Sequence, residues 1–252
     1  MIWVLGGTSD SREIALFLRG LGLPVVLSVA TPYGRASFSD LPGVDLLEGP
    51  LGPEEMLELM ASRGVRLVVD ASHPYAVSAS RAALEASRRA EVPYVRFERG
   101  KSSTEGLLEC ESFEEAARLL SKERGNVFLA VGVKNLGVLV REIGPSRVYA
   151  RVLPSPDSIR RSLDLGIPPS HLVAMQGPFP RDLNASLYRM WRIEHLLTKE
   201  SGDAGGFRDK VEPALEMGIR VWVVRRPRKE EALTFRSLEE LADLLRSLGF
   251  TG

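Results

Sequence analysis

A chain of 252 residues, 44% hydrophobic and 26% charged, has the composition of an ordinary globular protein and the length for one large domain or two smaller ones. Its 33 lysines and arginines balance 33 aspartates and glutamates, so no global charge draws it to nucleic acid or to an anionic membrane. No apolar run is long enough to span a bilayer, the N-terminus carries no basic leader, and Cys110 has no second cysteine to pair with; a cytoplasmic protein is expected.

Residues 2–5 form a short apolar run that reads as a buried parallel strand. The run breaks at Gly6-Gly7, and Ile14, Phe17, Leu18 and Leu21 then fall at helical spacing. Asp10 or Ser9 can cap that helix, and Glu13 completes a capping box with Asp10. Strand, glycine turn and helix N-terminus together make an anion site: free backbone N–H groups and the helix dipole face one point, and glycines let a phosphate approach. Gly6-Gly7-Thr8-Ser9 lacks the full G-x-G-x-x-G spacing, so a plain tight turn fits the same residues.

A second strand covers residues 25–30. In a dinucleotide-binding unit the end of this strand meets the adenosine ribose, where an acidic residue favours NAD. This chain instead continues Thr31-Pro32-Tyr33-Gly34-Arg35, with no carboxylate before Asp40. Thr31 and Arg35 therefore point to NADP and its 2′-phosphate; a solvated loop arginine is the other reading of Arg35. Residues 44–47 form a short strand, Pro53 opens a helix, and residues 66–70 form a third good strand running into Ala71-Ser72-His73-Pro74-Tyr75. Polar residues at the C-terminal end of a strand are where open α/β sheets bind ligands. A helix over 76–90 and a strand over 94–97 complete a βαβαβαβ pattern, and the unpatterned stretch 98–104 marks a domain junction.

The second half repeats the alternation. Helices are expected after Ser112, after Asn135, at Ser155-Pro156-Asp157, over 183–191 and after Phe207, with strands at 126–131, 148–153, 172–175, 195–198 and 219–224. Leu183, Leu187, Met190 and Trp191 form one helical stripe, read as core. Ser237 and Glu240 open a last amphipathic helix. The architecture predicted is α/β, with two Rossmann-like domains of parallel sheets over 1–100 and 101–252, and cofactor and substrate in the cleft between them.

Basic residues gather at loop positions: Arg35, Lys134, Arg151, Lys199, Lys210, Arg225 and Arg226. On a neutral chain that local excess suggests a substrate bearing several carboxylates or phosphates, solvated loop cations being the plainer account. His73, His171 and His195 have no metal-ligand spacing, and neither G-x-S-x-G nor a phosphate-binding P-loop occurs, so no metal site is expected. His73 can donate a proton or simply bond backbone. The loop Lys199-Glu200-Ser201-Gly202, followed by Gly205-Gly206, offers a second close-contact or anion-binding surface.

Several pieces, in order, carry a resemblance. They are Leu5-Gly6-Gly7-Thr8 with Arg12; Asp70-Ala71-Ser72-His73-Pro74-Tyr75-Ala76 with Ser80; and Val95-Arg96-Phe97-Glu98-Arg99. Next come Ala150-Arg151-Val152-Leu153-Pro154 and Met175-Gln176-Gly177-Pro178-Phe179. The last are Thr198-Lys199-Glu200-Ser201-Gly202 with Gly205-Gly206-Phe207 and Lys210, and Arg225-Arg226-Pro227. Together they resemble the precorrin-6A reductase family of cobalamin biosynthesis over nearly the whole chain. Glu200 stands where that family commonly has Asp, and Ser72 where it commonly has Thr; both keep the functional group. The resemblance implies NADPH-dependent reduction of one double bond of a tetrapyrrole macrocycle, precorrin-6A or its cobalt form. It implies Gly6, Gly7, Thr8, Ser9 and Arg12 at the pyrophosphate, Thr31 and Arg35 at the adenosine end, and Ser72 and His73 near the nicotinamide or substrate. Gln176, Gly177, Lys199, Ser201, Gly202 and Lys210, with Arg151, would hold the macrocycle, and Ser72, His73 and Lys199 would position it or supply a proton. Two other functions stay open. One is a different NADP-linked oxidoreductase, although none of Tyr33, Tyr75, Tyr94, Tyr149 and Tyr188 has a lysine at i+4 for the usual proton relay. The other is an NADP-binding sensor without catalysis.

Overall fold

Short β-branched runs alternate with capped helices along the chain, and in the computed structural model, which describes residues 1–98, 100, 102–177, 179–202, 206–227 and 232–250, they form two separate parallel sheets. Arg99, Pro178 and Gly205, members of the motifs above, lie outside the described residues. In chain order the elements are β1 (Ile2–Leu5), α1 (Ser9–Gly20), β2 (Val25–Val29), α2 (Pro32–Phe38), β3 (Val44–Glu48), α3 (Pro53–Ser62), β4 (Leu67–Asp70), α4 (Val77–Arg89) and β5 (Tyr94–Phe97). There follow β6 (Leu108–Cys110), α5 (Phe113–Lys122), β7 (Asn126–Ala130), α6 (Leu136–Ile143), β8 (Val148–Val152), α7 (Pro156–Asp164) and β9 (Leu172–Ala174). The chain continues with α8 (Arg181–Met190), β10 (Ile193–Lys199), α9 (Phe207–Glu216), β11 (Arg220–Val224), β12 (Leu233–Phe235) and α10 (Leu238–Ser247).

One compact unit comprises Met1–Gly100 with Pro227–Gly252, the other Lys101–Arg226. The segment after residue 226, assigned from the sequence to a second domain over 101–252, therefore belongs to the first unit. Its strand β12 pairs in parallel with β5, giving the sheet order β12-β5-β4-β1-β2-β3. That is the doubly wound dinucleotide-binding order, with the C-terminal segment supplying the sixth position. The second sheet runs β6-β11-β10-β7-β8-β9, the same order with the sixth position filled by the strand that precedes the others in sequence.

Alternation along each buried strand divides the first core in two. Ile2, Val4, Val25, Leu27, Val69 and Phe235 face α1 and α10, whereas Trp3, Leu5, Val26 and Val68 face α3 and α4. In the second unit Phe128, Leu196, Val221 and Val223 meet Tyr188, Phe207 and Val211 of α8 and α9. Three local expectations change. The cap of α1 is Thr8, not Asp10 or Ser9: Thr8 Oγ1 accepts from Ser11 N and Ser11 Oγ accepts from Thr8 N, both at 3.1 Å, a box that starts earlier in the chain than one closed by Glu13. Residues 32–38 are helical rather than loop, because Thr31 caps them and Pro32 sits in the first turn. Met190 is 63% exposed, so the α8 stripe buries only its other members.

Phe235 is fully buried, its ring centroid 5.4 Å from that of Phe97. Phe235→Ala should cost about 3–5 kcal/mol, seen as a lower urea midpoint, while Leu233→Ala on the same strand, 53% exposed, should leave the midpoint near wild type.

Candidate functional site

In the first sheet the strand order reverses between β1 and β4, so the loops after these two strands lie side by side. Gly6 donates its N–H to Ser28 O at 2.8 Å, and a Cβ there would stand 3.1 Å from that same oxygen and from Leu27. Gly7 has φ +106°, a backbone that favours glycine. Thr8 then caps α1 and also donates from Oγ1 to Ala71 O at 2.8 Å, tying the glycine turn to the loop beyond β4. Ser9 is exposed at the first helical position. The turn thus has the shape of an anion site, with the N-terminus of a 12-residue helix behind it.

Arg12, expected at a pyrophosphate, is engaged elsewhere: its fork donates to the two Asp40 oxygens at 2.8 and 2.5 Å and to Ser37 O at 3.2 Å, fastening α1 to the end of α2. Thr31 accepts from Gly34 N at 3.0 Å. Arg35 donates to Leu46 O at 3.1 Å and lies 3.8 Å from the Glu48 carboxylate, with its side chain about half exposed at 51%. Thr31 and Arg35 thus sit together beyond the end of β2.

Beneath the loop after β4 lies a buried polar network. Asp70 has no exposed surface; its carboxylate accepts from Ser72 N at 2.9 Å and from Tyr94 OH at 2.6 Å, and lies 3.3 Å from the buried Arg96 guanidinium. Burial alone would push the carboxyl pKa up, but Arg96 and the hydrogen bonds of Ser72, Ser80 and Tyr94 together hold it below its ordinary value. Ser72 Oγ is 3.3 Å from Ser80 Oγ on α4. The half-buried His73 accepts from Tyr75 N on Nδ1 at 3.2 Å, which places the proton of the neutral ring on Nε2. Ser72 and His73 are therefore brought together on one anchored turn.

In the second unit the switch point falls between β7 and β10. Lys199 ends β10, and burial together with Lys134 lowers its pKa to about 8. Lys210, buried in α9, donates to Ser201 Oγ at 3.4 Å; burial, then Arg151 and Lys199, bring its pKa down to about 7. Arg151, buried at the end of β8, is lowered to about 10 by burial. Lys199, Lys210, Arg151 and Ser201 thus form one cationic neighbourhood. Gly202 turns the chain with φ +73°. Glu200 is scaffold rather than ligand group: it accepts from Ser102 N at 3.1 Å, Gly202 N at 3.3 Å and Arg226 Nη2 at 3.0 Å. Gln176 is exposed, whereas Gly177 has a packing reason, since a Cβ there would meet the Phe179 ring at 3.0 Å. The Asp70–Tyr94–Arg96 network and Asn184, which holds Arg151, were not singled out from the sequence. Charged residues closing apolar strands were the available signal for the first, a buried-face asparagine in α8 for the second.

Two doubly wound sheets, one carrying a glycine turn at a helix start and the other a buried cationic neighbourhood, define a dinucleotide-fold α/β protein. The sequence pattern of the family described as Precorrin-6x reductase CbiJ/CobK matches residues 1–246. A cobalt-precorrin-6A reductase of Methanothermobacter thermautotrophicus is 38% identical over 259 residues, covering 99% of this chain and 86% of that protein. Another of that name, from Methanocaldococcus jannaschii, is 37% identical and covers 97% of this chain and 98% of its own length. The solved structure of CobK precorrin-6A reductase superposes with a TM-score of 0.79 at 24% identity, covering 99% of this chain and 98% of that one, which shows the shared fold. The chain belongs to the precorrin-6x reductase family, oxidoreductases of cobalamin biosynthesis.

Asp70→Asn removes the charge that faces buried Arg96, and should cost about 3–5 kcal/mol of stability. A carboxylate held below its ordinary pKa stabilises the fold fully above about pH 3.9 and loses that contribution as the pH falls further. Acid unfolding followed by circular dichroism should accordingly show a weaker pH dependence in the variant; an unchanged acid limb would remove Asp70 from this role.

Proposed function

We propose that the chain reduces one double bond of precorrin-6A, or of its cobalt form, with NADPH. The observation that carries the reading is the glycine turn at the first switch point. Gly6 lies too close to Ser28 O for a side chain, Gly7 takes a left-handed backbone, and Thr8 closes the helix start, so the residues present fit a dinucleotide phosphate. NADPH when bound supplies a hydride, which with one proton saturates one ring double bond and leaves NADP⁺. Thr31 and Arg35, beyond the end of β2, suit the 2′-phosphate, Arg35 exchanging its loose contact with Glu48 for a closer anion. Ser72 and His73, held by Asp70 and by Tyr75 N, present a hydroxyl and an Nε2–H as positioning or proton-donating groups. Lys199, Lys210 and Arg151, with Ser201, Gly202 and the loop at Gln176–Gly177, suit the carboxylate arms of the macrocycle. A polycarboxylate there favours the charged form of lysines whose pKa values burial has brought to about 8 and about 7.

Anaerobic incubation with NADPH and each macrocycle in turn should oxidise one NADPH per macrocycle, read by NADPH absorbance; no oxidation with either ring overturns the reading. Arg35→Ala should raise Kd for NADPH roughly 10–100-fold, the loss of one charge-assisted contact, and leave NADH binding nearly unchanged. An equal effect on both nucleotides would remove Arg35 from the 2′-phosphate.

A further inference from the structure

Asn184 has no exposed surface, and its amide joins three segments of the second unit. Nδ2 donates to Asp209 O at 2.9 Å, to Pro180 O at 3.2 Å and to Phe179 O at 3.3 Å. Three carbonyl partners fix the amide orientation, so Oδ1 faces Arg151, whose Nη1 donates to it at 2.7 Å. The Arg151 guanidinium carbon also lies 3.7 Å from the centroid of the Phe179 ring and 5.5 Å from that of Phe128. One nitrogen and one face of the guanidinium are thereby held. Gly177 makes the stack possible, because a Cβ would stand 3.0 and 3.1 Å from two atoms of the Phe179 ring.

Every partner of this buried guanidinium among the described residues is neutral: one amide oxygen and two aromatic faces. Burying a cation without a counter-charge is costly, and buried arginines are normally met by a carboxylate or phosphate. An aspartate at 184 would have the shape of the asparagine and would pair the charge of the fork, at the cost of the amide N–H groups that reach three carbonyls. The amide orients the guanidinium and leaves its charge for something else.

We propose that Asn184 and Phe179 are positioning residues that hold Arg151 for one carboxylate of the macrocycle, and that the neutrality of residue 184 keeps the guanidinium charge available to that carboxylate. The inference rests on the tetrapyrrole reading given under Proposed function. Its signature is a binding defect on changing residue 184 or 179 that disappears when Arg151 is removed.

The test uses the full chain and the variants Asn184→Asp, Phe179→Leu and Arg151→Gln, with each of the first two also combined with Arg151→Gln. Two measurements are made on each: turnover of the macrocycle with NADPH, and equilibrium binding of uroporphyrin I, an octacarboxylate tetrapyrrole, by its emission. Asn184→Asp should raise KM for the macrocycle and Kd for uroporphyrin about 10-fold or more, the scale of one lost charge-assisted contact, with the loss in KM rather than kcat and with NADPH binding unchanged. In the Arg151→Gln background the same substitution should add nothing, since its effect travels through the arginine. Phe179→Leu should show a smaller KM effect, also absent in that background, and it decides the matter if Asn184→Asp fails to fold. Unchanged KM and Kd in Asn184→Asp, or an equal loss with and without Arg151, overturns the inference while leaving the reductase reading standing. Porphyrin binding that shows the predicted cycle in a chain that oxidises no NADPH supports the inference and overturns the reductase reading. A wild-type chain that neither turns over the macrocycle nor binds uroporphyrin overturns both.

Discussion

The hydrogen bond from the Thr8 hydroxyl to Ala71 O, 2.8 Å long, joins the two loops that flank the first switch point. Thr8 Oγ1 also accepts from Ser11 N, so one side chain closes the helix start and fixes the distance between the glycine turn and the turn beyond β4. What it fixes would be of little use if the second turn moved. Asp70 prevents that from below, by accepting Ser72 N and Tyr94 OH against Arg96 in a buried setting where each unmade bond would be expensive. The glycine turn and the Ser72–His73 turn are thus parts of one hydrogen-bonded construction, built on the ends of two adjacent, fully buried strands.

The second unit meets the opposite electrostatic problem. The first unit offers backbone dipoles, which cost nothing to keep uncharged; the second buries Lys210 and Arg151 close to Lys199. Burial weakens the charged forms of all three, and repulsion from neighbouring cations adds to it for the two lysines. Structural salt bridges do not behave in this way. Glu200 pairs with Arg226 within the same unit. The contrast separates scaffold from site among residues that look alike as a string: both are charged and both lie beside β10.

Most of the fold was legible because buried parallel strands and capped helices carry their own local signals. Pro53, Ser112 and Ser155 mark helix starts where the structure has them. Strands β6 and β12 were not read, since each has only three residues, too few for a period, and each pairs with a strand far away in the sequence. That is also why the C-terminal segment was placed in the wrong domain: its partner, β5, is more than a hundred residues earlier. At the site, glycines were legible as positions but not as reasons. Gly6 and Gly177 look equivalent in sequence, yet one allows approach to a strand carbonyl and the other admits an aromatic ring. Arg12, a motif residue, pairs with Asp40 because α2, unforeseen as a helix, brings that carboxylate within reach.

The two units share a strand order and differ in how they meet negative charge, and the difference suits different ligands. A diphosphate is compact and always ionised, so converging N–H groups at a helix start recognise it without any side chain that must be desolvated. Carboxylate arms on a large ring are dispersed and individually weaker, so each needs a cation placed in advance, and a long side chain is placed only if something holds it. Lys210 is held by burial and by Ser201; Arg151 is held by an amide and a ring. For Arg151 the restraint comes from neutral groups, which hold the cation without pairing its charge. These restrained cations on β8 and α9 are what separates the second sheet from a second copy of the first.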